Sequence, residues 1–430
     1  MGPVDGSNDK GIIMKKSKLF LRTAAAAVAL TATTQQALAG PTFNLISTID
    51  TSTTAGQNAY RGFQIAALYW SSVFTDNVTI NLQIGFSQLG AGILGSTGSA
   101  RSLLSINQFY TAGAADATSA LDAAAMASLP TRGVGINTGA GLSGSVSAIT
   151  NGFANGVNAT NGYTDLSTRI DNDESVNNDT LAVTKASAKA LGLTTDVNGA
   201  AINYGSVDGS ITFSSAFNFD FDPSDGISSN AYDFIGVAIH EIGHALGFVS
   251  GVDSYDSRTS PGQTAAASLT STEGFVTMSQ LDLFRYSAAG QLDWSTQNTP
   301  YFSIDGGQNM LFGDSRFSTG VLNGDGRQAS HWKDSAAGVP QIGILDPTSG
   351  LGQRQEVTAL DLAAYDAIGW NINFNVLANS SYRFTTADAY RAFAASTTPL
   401  PEPAAWLTMI LGFGLMGYSL RRRSAKVAFA

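Results

Sequence analysis

Residues 230–247, NAYDFIGVAIHEIGHALG, constrain the fold more than any other part of this 430-residue chain. The spacing of the apolar residues predicts an α-helix that is apolar nearly all round, and such a helix has to be surrounded by the rest of its domain. Asn230 is a residue type that caps helix N-termini, and Gly247 is one that ends helices in a left-handed conformation. We therefore predict a long buried helix between Asn230 and Gly247.

The same helix carries two of the three histidines of the chain, in the sequence His240-Glu241-Ile242-Gly243-His244. A step of four residues is about one helical turn, so both imidazoles leave the same face and can bind one metal ion. Glu241 follows the first histidine and can act as a general base toward a metal-bound water. HExxH on a helix is a signature of zinc proteases, which makes His240 and His244 predicted zinc ligands.

A catalytic zinc ion requires a third protein ligand and keeps its fourth position open. His331 is the remaining histidine and stands 87 positions after His244, so we predict it as the third ligand. Two carboxylates stay open as alternatives. Asp253 follows the helix closely, whereas Glu273 would serve as the glutamate that a second helix supplies in some zinc sites, although its neighbours lack a helical pattern.

Outside this helix, the apolar periodicity predicts a mixture of helices and strands. Helices are predicted at 55–74, near 119–129, at 180–191 and at 357–368, and strands at 78–86 and 210–221. This order predicts an α+β fold in which the active-site helix and the other long helices pack on a twisted β-sheet. The stretch 89–165 is rich in Gly, Ser, Ala and Thr and has little pattern apart from one helix.

Residues 1–39 have the pattern of a secretory signal peptide. Four basic residues lie between Lys15 and Arg22, an Ala/Val/Leu-rich stretch follows, and Ala-Leu-Ala at 37–39 fits a cleavage site. Met14 is then the expected initiator, and the residues before it are an extension. Cysteine is absent, so an exported form of this chain has no disulfides and depends on its core for stability.

The C-terminal segment, 401–430, begins with Pro-Glu-Pro, continues as an apolar run over 407–420 and then carries three consecutive arginines. This pattern resembles the PEP-CTERM sorting signal of Gram-negative bacteria that make exopolysaccharide. Together with the signal peptide, the resemblance implies signal peptidase and exosortase as partners during export and membrane contact only through the tail. The destination would be the extracellular space, the cell surface or the exopolysaccharide matrix. A plain C-terminal membrane anchor is the alternative.

The charge of the chain excludes some partners. The whole chain has a net charge of −10, and because 1–39 and 401–430 each carry +3, the part between them carries −16. Such a segment disfavours binding to nucleic acid or to anionic membranes. Its acidic loops offer oxygen ligands for structural calcium ions.

The residues around the histidines resemble the leishmanolysin type of metzincin. Short-spaced metzincins carry HExxHxxGxxH, but their third histidine position is Ser250 in this chain, and serine is a poor zinc ligand. The leishmanolysin type keeps HExxHxxG, has a long insertion, and then supplies a His-Trp pair and a turn near a proline. The corresponding residues here are His331-Trp332 and Ile-Leu-Asp-Pro at 344–347, with Leu345 at the position of the family's methionine.

This resemblance covers about 230–370. It implies an extracellular zinc endopeptidase, acting on proteins or peptides, with a two-lobed zincin-like or metzincin-like catalytic domain. The expected division of the chain is 1–39 as extension and signal peptide, 40–248 as N-terminal catalytic lobe, 249–330 as insertion, 331–400 as C-terminal lobe with the third ligand and the turn, and 401–430 as sorting signal.

The expected reaction is peptide-bond hydrolysis by a metal-activated water, with Glu241 passing the water proton to the leaving amine. A tyrosine would stabilise the oxyanion, and the sequence does not rank the candidates Tyr255, Tyr286, Tyr301 and Tyr365. The alternative function is a surface or matrix structural protein in which zinc only stabilises the fold. Glu241 argues against that alternative, because a purely structural site has no need of a base.

Overall fold

The computed structural model describes residues 40–133, 144–154, 163–259, 271–336 and 339–397. The predicted signal peptide at 1–39 and the predicted sorting signal at 401–430 lie outside these residues. Among the helices that are described, none has the length and apolar character needed to cross a membrane.

The protein mixes helices and strands, as predicted. The helices are α1 (Thr54–Val73), α2 (Ile106–Asp116), α3 (Ala120–Ala127), α4 (Lys185–Ala190), α5 (Phe234–Ala245), α6 (Val252–Thr259), α7 (Ala359–Ala367) and α8 (Thr386–Thr397). The strands are β1 (Thr42–Ser47), β2 (Thr79–Ser87), β3 (Gly95–Ser99), β4 (Arg101–Ser105), β5 (Ala148–Ala154), β6 (Tyr163–Asp171), β7 (Thr180–Thr184), β8 (Gly209–Ser214), β9 (Phe219–Asp220), β10 (Tyr232–Asp233), β11 (Arg285–Ala288), β12 (Gln291–Leu292), β13 (Tyr301–Phe302), β14 (Glu356–Thr358) and β15 (Arg383–Thr385).

A four-stranded sheet in the order β1-β2-β8-β3 supports the centre of the fold. β1, β2 and β8 are parallel, and β3 runs antiparallel to β8 at the edge. In β2 the alternating residues Ile80, Leu82 and Ile84 are fully buried, because successive side chains of a strand point to opposite faces. The strand predicted at 78–86 is confirmed.

Helix α1 is amphipathic, and its apolar face packs against α5. The hydroxyl of Thr53 caps the helix by accepting a hydrogen bond from the amide of Gly56 at 3.1 Å. The Trp70 indole donates to the carbonyl of Ile239 at 3.2 Å, which ties the two helices together. The helix predicted at 55–74 is confirmed, and so is the one near 119–129, which is α3.

Helix α5 is buried along nearly its whole length, as its apolar sequence predicts. All of its residues except His240 are buried. A Cβ at Gly209 of β8 would lie 2.9 Å from the Cβ of Ala245, so the helix lies directly on the sheet there. Gly247 has a φ of +122°, and the amide of Phe248 donates to the carbonyl of Gly243 at 3.2 Å, which closes the helix.

The start of α5 corrects one prediction. Asp233, not Asn230, is the N-cap residue, and its carboxylate accepts from the amide of Gly236 at 3.0 Å. The reason is that Tyr232 and Asp233 pair with β9 as the short strand β10, which keeps the backbone extended up to the cap. The same carboxylate accepts from the amide of Gln355, so this cap also joins α5 to the C-terminal part of the chain.

Two further predictions were wrong in part. The segment 180–191 begins as β7, which is buried on both faces and pairs with β4, and only its second part is the helix α4. A strand buried on both faces lacks the alternation that identifies strands in sequence. The segment 210–221 is divided into β8 and β9, because the chain turns at residues 215–218.

The residues after α5 form α6, several short strands and irregular segments, before α7 and α8. The helix predicted at 357–368 is confirmed as α7, which begins with a capping box between Thr358 and Asp361. The chain then returns to the end of α1, where Phe74 pairs with Ile372. The predicted boundaries at 248, 330 and 400 stay predictions.

Candidate metal centre

Three histidine side chains converge beside α5. The Nε2 atoms of His240 and His244 are 3.0 Å apart, and each lies 3.2 Å from Nε2 of His331. In tetrahedral zinc sites, Zn–N bonds of about 2.0–2.1 Å set neighbouring nitrogens roughly 3.3 Å apart. The structure therefore brings the three predicted ligands together at nearly the spacing that one zinc ion requires.

The other ring nitrogen of each histidine contacts a backbone carbonyl. Nδ1 of His240 lies 2.8 Å from the oxygen of Ile344, Nδ1 of His244 lies 2.7 Å from that of Phe248, and Nδ1 of His331 lies 3.2 Å from that of Gln328. A carbonyl oxygen only accepts hydrogen bonds, so each Nδ1 carries the proton and donates. Three unprotonated Nε2 lone pairs consequently face one another, an arrangement that a cation relieves.

Burial keeps these imidazoles neutral. It lowers the pKa of His240 to about 4 and that of His244 to about 3. The pKa of His331 lies well below its usual value, first because of burial and then because of the two neighbouring histidines. Neutral imidazole is the form that binds a metal ion, so the donor set fits zinc.

Glu241 lies between the histidines and the sheet. Its Oε2 is 2.7 Å from the hydroxyl of Thr97 on β3, which also lies 2.9 Å from the main-chain oxygen of Glu241. Burial raises the pKa of Glu241 to about 7, and the Thr97 contact opposes that shift. A Cβ at Gly95 would come within 2.5 Å of Oε1, so β3 needs a glycine opposite this carboxylate.

Leu345 packs against α5 at Gly243, the residue between the two helical ligands. Its two Cδ atoms lie 3.5 Å from the position that a Cβ would take at Gly243. The carbonyl of Leu345 accepts from the amide of Trp332, the residue after His331. Leu345 is therefore a buried apolar residue that packs on α5 between His240 and His244, and its correspondence to the family's methionine stays a prediction.

Asp361 is a buried residue that joins three segments of the chain, those of Trp332, Ile344 and Thr358. Its carboxylate accepts from the Trp332 indole at 2.8 Å, from the amide of Ile344 at 3.0 Å and from that of Thr358 at 2.7 Å. Asp361 was not predicted as part of the site, although Thr358 and Asp361 have the spacing of a capping box. Thr97 was missed too, and nothing in its Gly/Ser/Thr-rich surroundings distinguishes it.

Asp253, the first alternative ligand, is not part of the histidine cluster. Its carboxylate accepts from the amides of Ala329 at 2.5 Å and Ser330 at 3.1 Å. Burial raises the pKa of Asp253 to about 6. Ser250, at the third-ligand position of short-spaced metzincins, donates its amide to the hydroxyl of Ser330 at 2.8 Å. The residue before His331 therefore lies next to the end of α5.

Glu273, the second alternative, lies in a separate acidic group with Asp171 and Asp173. Arg169 bonds to Asp171 at 3.3 Å and to Glu273 at 2.5 Å. These three carboxylates could hold a cation, but the guanidinium already supplies positive charge there. The expected structural calcium stays a prediction.

Three of the four candidate tyrosines form hydrogen bonds with residues other than the histidines. The hydroxyl of Tyr255 accepts a hydrogen bond from the side-chain amide of Asn177. The hydroxyls of Tyr286 and Tyr301 donate to the backbone carbonyls of Ser128 and Gly307 respectively. Tyr365 is buried on the Gly243 side of α5, and its hydroxyl has no hydrogen-bond partner among the residues that the structure describes. Within the described residues, no hydrogen bond joins one of these four hydroxyls to a histidine or to Glu241.

No protein-family model, no curated protein and no solved structure matches this chain.

Proposed function

We propose that this chain is an exported zinc-dependent endopeptidase with a two-lobed, leishmanolysin-like metzincin domain. The observation that carries the proposal is the convergence of three unprotonated Nε2 atoms next to a buried glutamate. A site that only stabilised the fold would gain nothing from burying Glu241 at that position, because burial of a carboxylate is unfavourable. The predicted signals at 1–39 and 401–430 support export.

His240, His244 and His331 would hold the ion through Nε2, each oriented by its Nδ1–H bond to a carbonyl. Zinc bound there supplies Lewis acidity, which lowers the pKa of a water molecule and polarises a carbonyl group. The ion would add positive charge beside three neutral imidazoles and the Glu241 carboxylate.

Glu241 would act as the general base. Its carboxylate takes the proton of the attacking water and delivers it to the nitrogen of the leaving amine. The Thr97 hydroxyl at 2.7 Å fixes Oε2, and the glycine at position 95 leaves room for Oε1. Both contacts come from β3, so this strand orients the base.

The same strand offers a binding surface for an extended peptide. β3 pairs with β8 on one side and has no second partner strand among the described residues. An extended peptide can add to such an edge through main-chain hydrogen bonds. A peptide bound along residues 95–97 would pass next to Glu241, which is the geometry that an endopeptidase requires.

The first test is Glu241→Gln in the purified full-length protein. We expect zinc content to stay at the wild-type level and cleavage of casein or of a peptide library to fall by about 10²–10⁴-fold, because the base is lost and the ligands are kept. Wild-type cleavage should stop with a chelator and return with zinc. Undiminished cleavage by Glu241→Gln would contradict the assignment of the base.

A second variant tests the ligand set. His331→Ala should lose zinc, because two histidines alone leave the site short of a protein ligand. Unchanged zinc content in this variant would contradict the assignment of His331. A wild-type protein that binds zinc at His331 but cleaves no peptide would favour the alternative function, a surface or matrix structural protein.

A further inference from the structure

The segment that carries His331 has almost no regular structure. Residues 318–334, called the ligand arm below, contain only isolated bridges, such as those between Phe317 and Trp332 and between Gly320 and Arg327. His331 is nevertheless buried and fits the histidine cluster to within a few tenths of an ångström. Something other than a helix or a strand has to fix the arm.

Helix α6 supplies the first set of contacts. Asp253 accepts hydrogen bonds from the amides of Ala329 and Ser330 and from the Ser330 hydroxyl. All three donors lie within two residues of His331. Because α6 follows α5 after a short turn, a residue of α6 is well placed to set the distance between the arm and the helical ligands.

A second carboxylate one turn further along α6 binds the other end of the arm. Asp256 accepts from the amides of Leu322 and Asn323, both at 2.7 Å, and from the Asn323 side chain at 2.9 Å. Gly320 allows this approach, since a Cβ there would lie 2.8 Å from the Asp256 carboxylate. These contacts are eight or more positions before His331.

A buried arginine binds the carbonyl side of the arm. Arg285 is fully buried, and its guanidinium donates to the carbonyl of Ser318 at 2.8 Å and lies 3.5 Å from that of Ala329. It has no carboxylate within salt-bridge distance among the described residues, so its charge acts on Asp253 from further away. Backbone amides of the arm thus donate to the carboxylates of Asp253 and Asp256, and its backbone carbonyls accept from the Arg285 guanidinium.

From these contacts we infer that Asp253 is a positioning residue for His331. It holds Ala329 and Ser330 so that Nε2 of His331 meets the two helical ligands before any metal binds. The inference rests on the proposed zinc site, and it assigns to Asp253 a role that differs from the ligand role predicted as an alternative. Asp256 fixes the arm in the same way at a greater distance from the ligand.

The test compares Asp253→Asn with Asp256→Asn in the full-length protein. Zinc affinity is measured by competition with a chromogenic chelator, and hydrogen exchange of the arm is measured in the metal-free protein. Asp253→Asn should weaken zinc binding by about 10–100-fold, the range for residues that orient a metal ligand, and should accelerate exchange at Ala329 and Ser330. Asp256→Asn removes an equivalent carboxylate from the same helix and should change zinc affinity by less than about threefold.

Equal zinc affinity in Asp253→Asn and wild type would overturn the inference, and so would an equal loss in both variants. If Asp253→Asn does not fold, Ser330→Ala, which removes one of the three donors and also the acceptor of the Ser250 amide, must still weaken zinc binding several-fold; unchanged affinity overturns the inference. A wild-type protein that binds no zinc ends the proposed function and the positioning role together. Wild-type binding with unchanged binding in Asp253→Asn ends the positioning role alone.

Discussion

Helix α5 and the ligand arm each bring histidines to the same point by different physical means. In α5 the four-residue step between His240 and His244 places both rings on one face, and apolar packing on α1 and the sheet fixes the helix. In the arm, hydrogen bonds from Ala329 to Asp253 and from Trp332 to Asp361 place His331. The positions of His240 and His244 therefore depend on apolar packing, and the position of His331 depends on hydrogen bonds to carboxylates.

This comparison explains which parts of the site can be broken by which changes. An additional methyl group should matter most around α5, where close packing leaves no room. Loss of a carboxylate should matter most around the arm, because buried N–H groups that lose their acceptor are costly.

The largest effect on stability is expected at Asp361. Asp361→Ala leaves the Trp332 indole and the amides of Ile344 and Thr358 without an acceptor. Each buried donor left unsatisfied costs about 1–3 kcal/mol, so the free energy of unfolding should fall by at least about 3 kcal/mol. Chemical denaturation of the metal-free protein measures this loss. A loss below about 1 kcal/mol would mean that the hydrogen bonds to Asp361 do not stabilise the ligand arm.

The second-largest effect is expected on activity, at Gly95, which lies against Glu241 of α5. Gly95→Ala brings a Cβ within 2.5 Å of Oε1 of Glu241, and the flexible carboxylate has to move. Peptidase kcat/KM should fall by about 100-fold, because a displacement of about 1 Å has effects of that order, while zinc content stays unchanged.

Gly98→Ala is the matched control, since it lies in the same strand and its Cβ would meet nothing within 4 Å. Its kcat/KM should stay within roughly twofold of wild type, as expected for a substitution that meets no neighbour. Similar losses in the two variants would mean that β3 tolerates no side chain at either position and would leave Glu241 unconnected to the effect.

The smallest effect tests packing below the ligands. Gly243→Ala places a Cβ 2.5 Å from the Tyr365 hydroxyl and should cost about 1–3 kcal/mol in unfolding free energy. Tyr365→Phe removes a buried hydroxyl that has no hydrogen-bond partner within the described part of the chain, so it should be neutral or stabilising. The double variant should recover most of the loss, and a thermal denaturation series of the four proteins measures the coupling. Additive effects would exclude the contact as the cause.

Elements that follow local spacing could be predicted from the sequence, and features that depend on long-range contacts could not. The apolar periodicity predicted α1, β2 and the burial of α5, because these elements follow local spacing. It misread 180–184, where both faces of β7 are buried, and it placed the start of α5 at Asn230, because the pairing of β10 with β9 is a long-range contact.

For the site, the histidine count was sufficient to predict the three residues that meet. The groups that orient them could not be predicted, since the Nδ1 acceptors are main-chain carbonyls that any residue provides. The role of Asp253 was equally inaccessible. A carboxylate that caps backbone amides 76 and 77 positions away has no local pattern to identify it.

The bonds from α6 to the arm are directed mostly at main-chain N–H groups, and those groups are the same for every amino acid except proline. The side chain at position 322, which is exposed, can therefore change over evolutionary time without loosening the arm, whereas Ala329 is also fixed by its burial in the core. Gly320 is the exception, because its φ of +140° and its proximity to Asp256 exclude other residues. Descendants of this chain should keep the glycine at position 320, while the residue two positions later should vary.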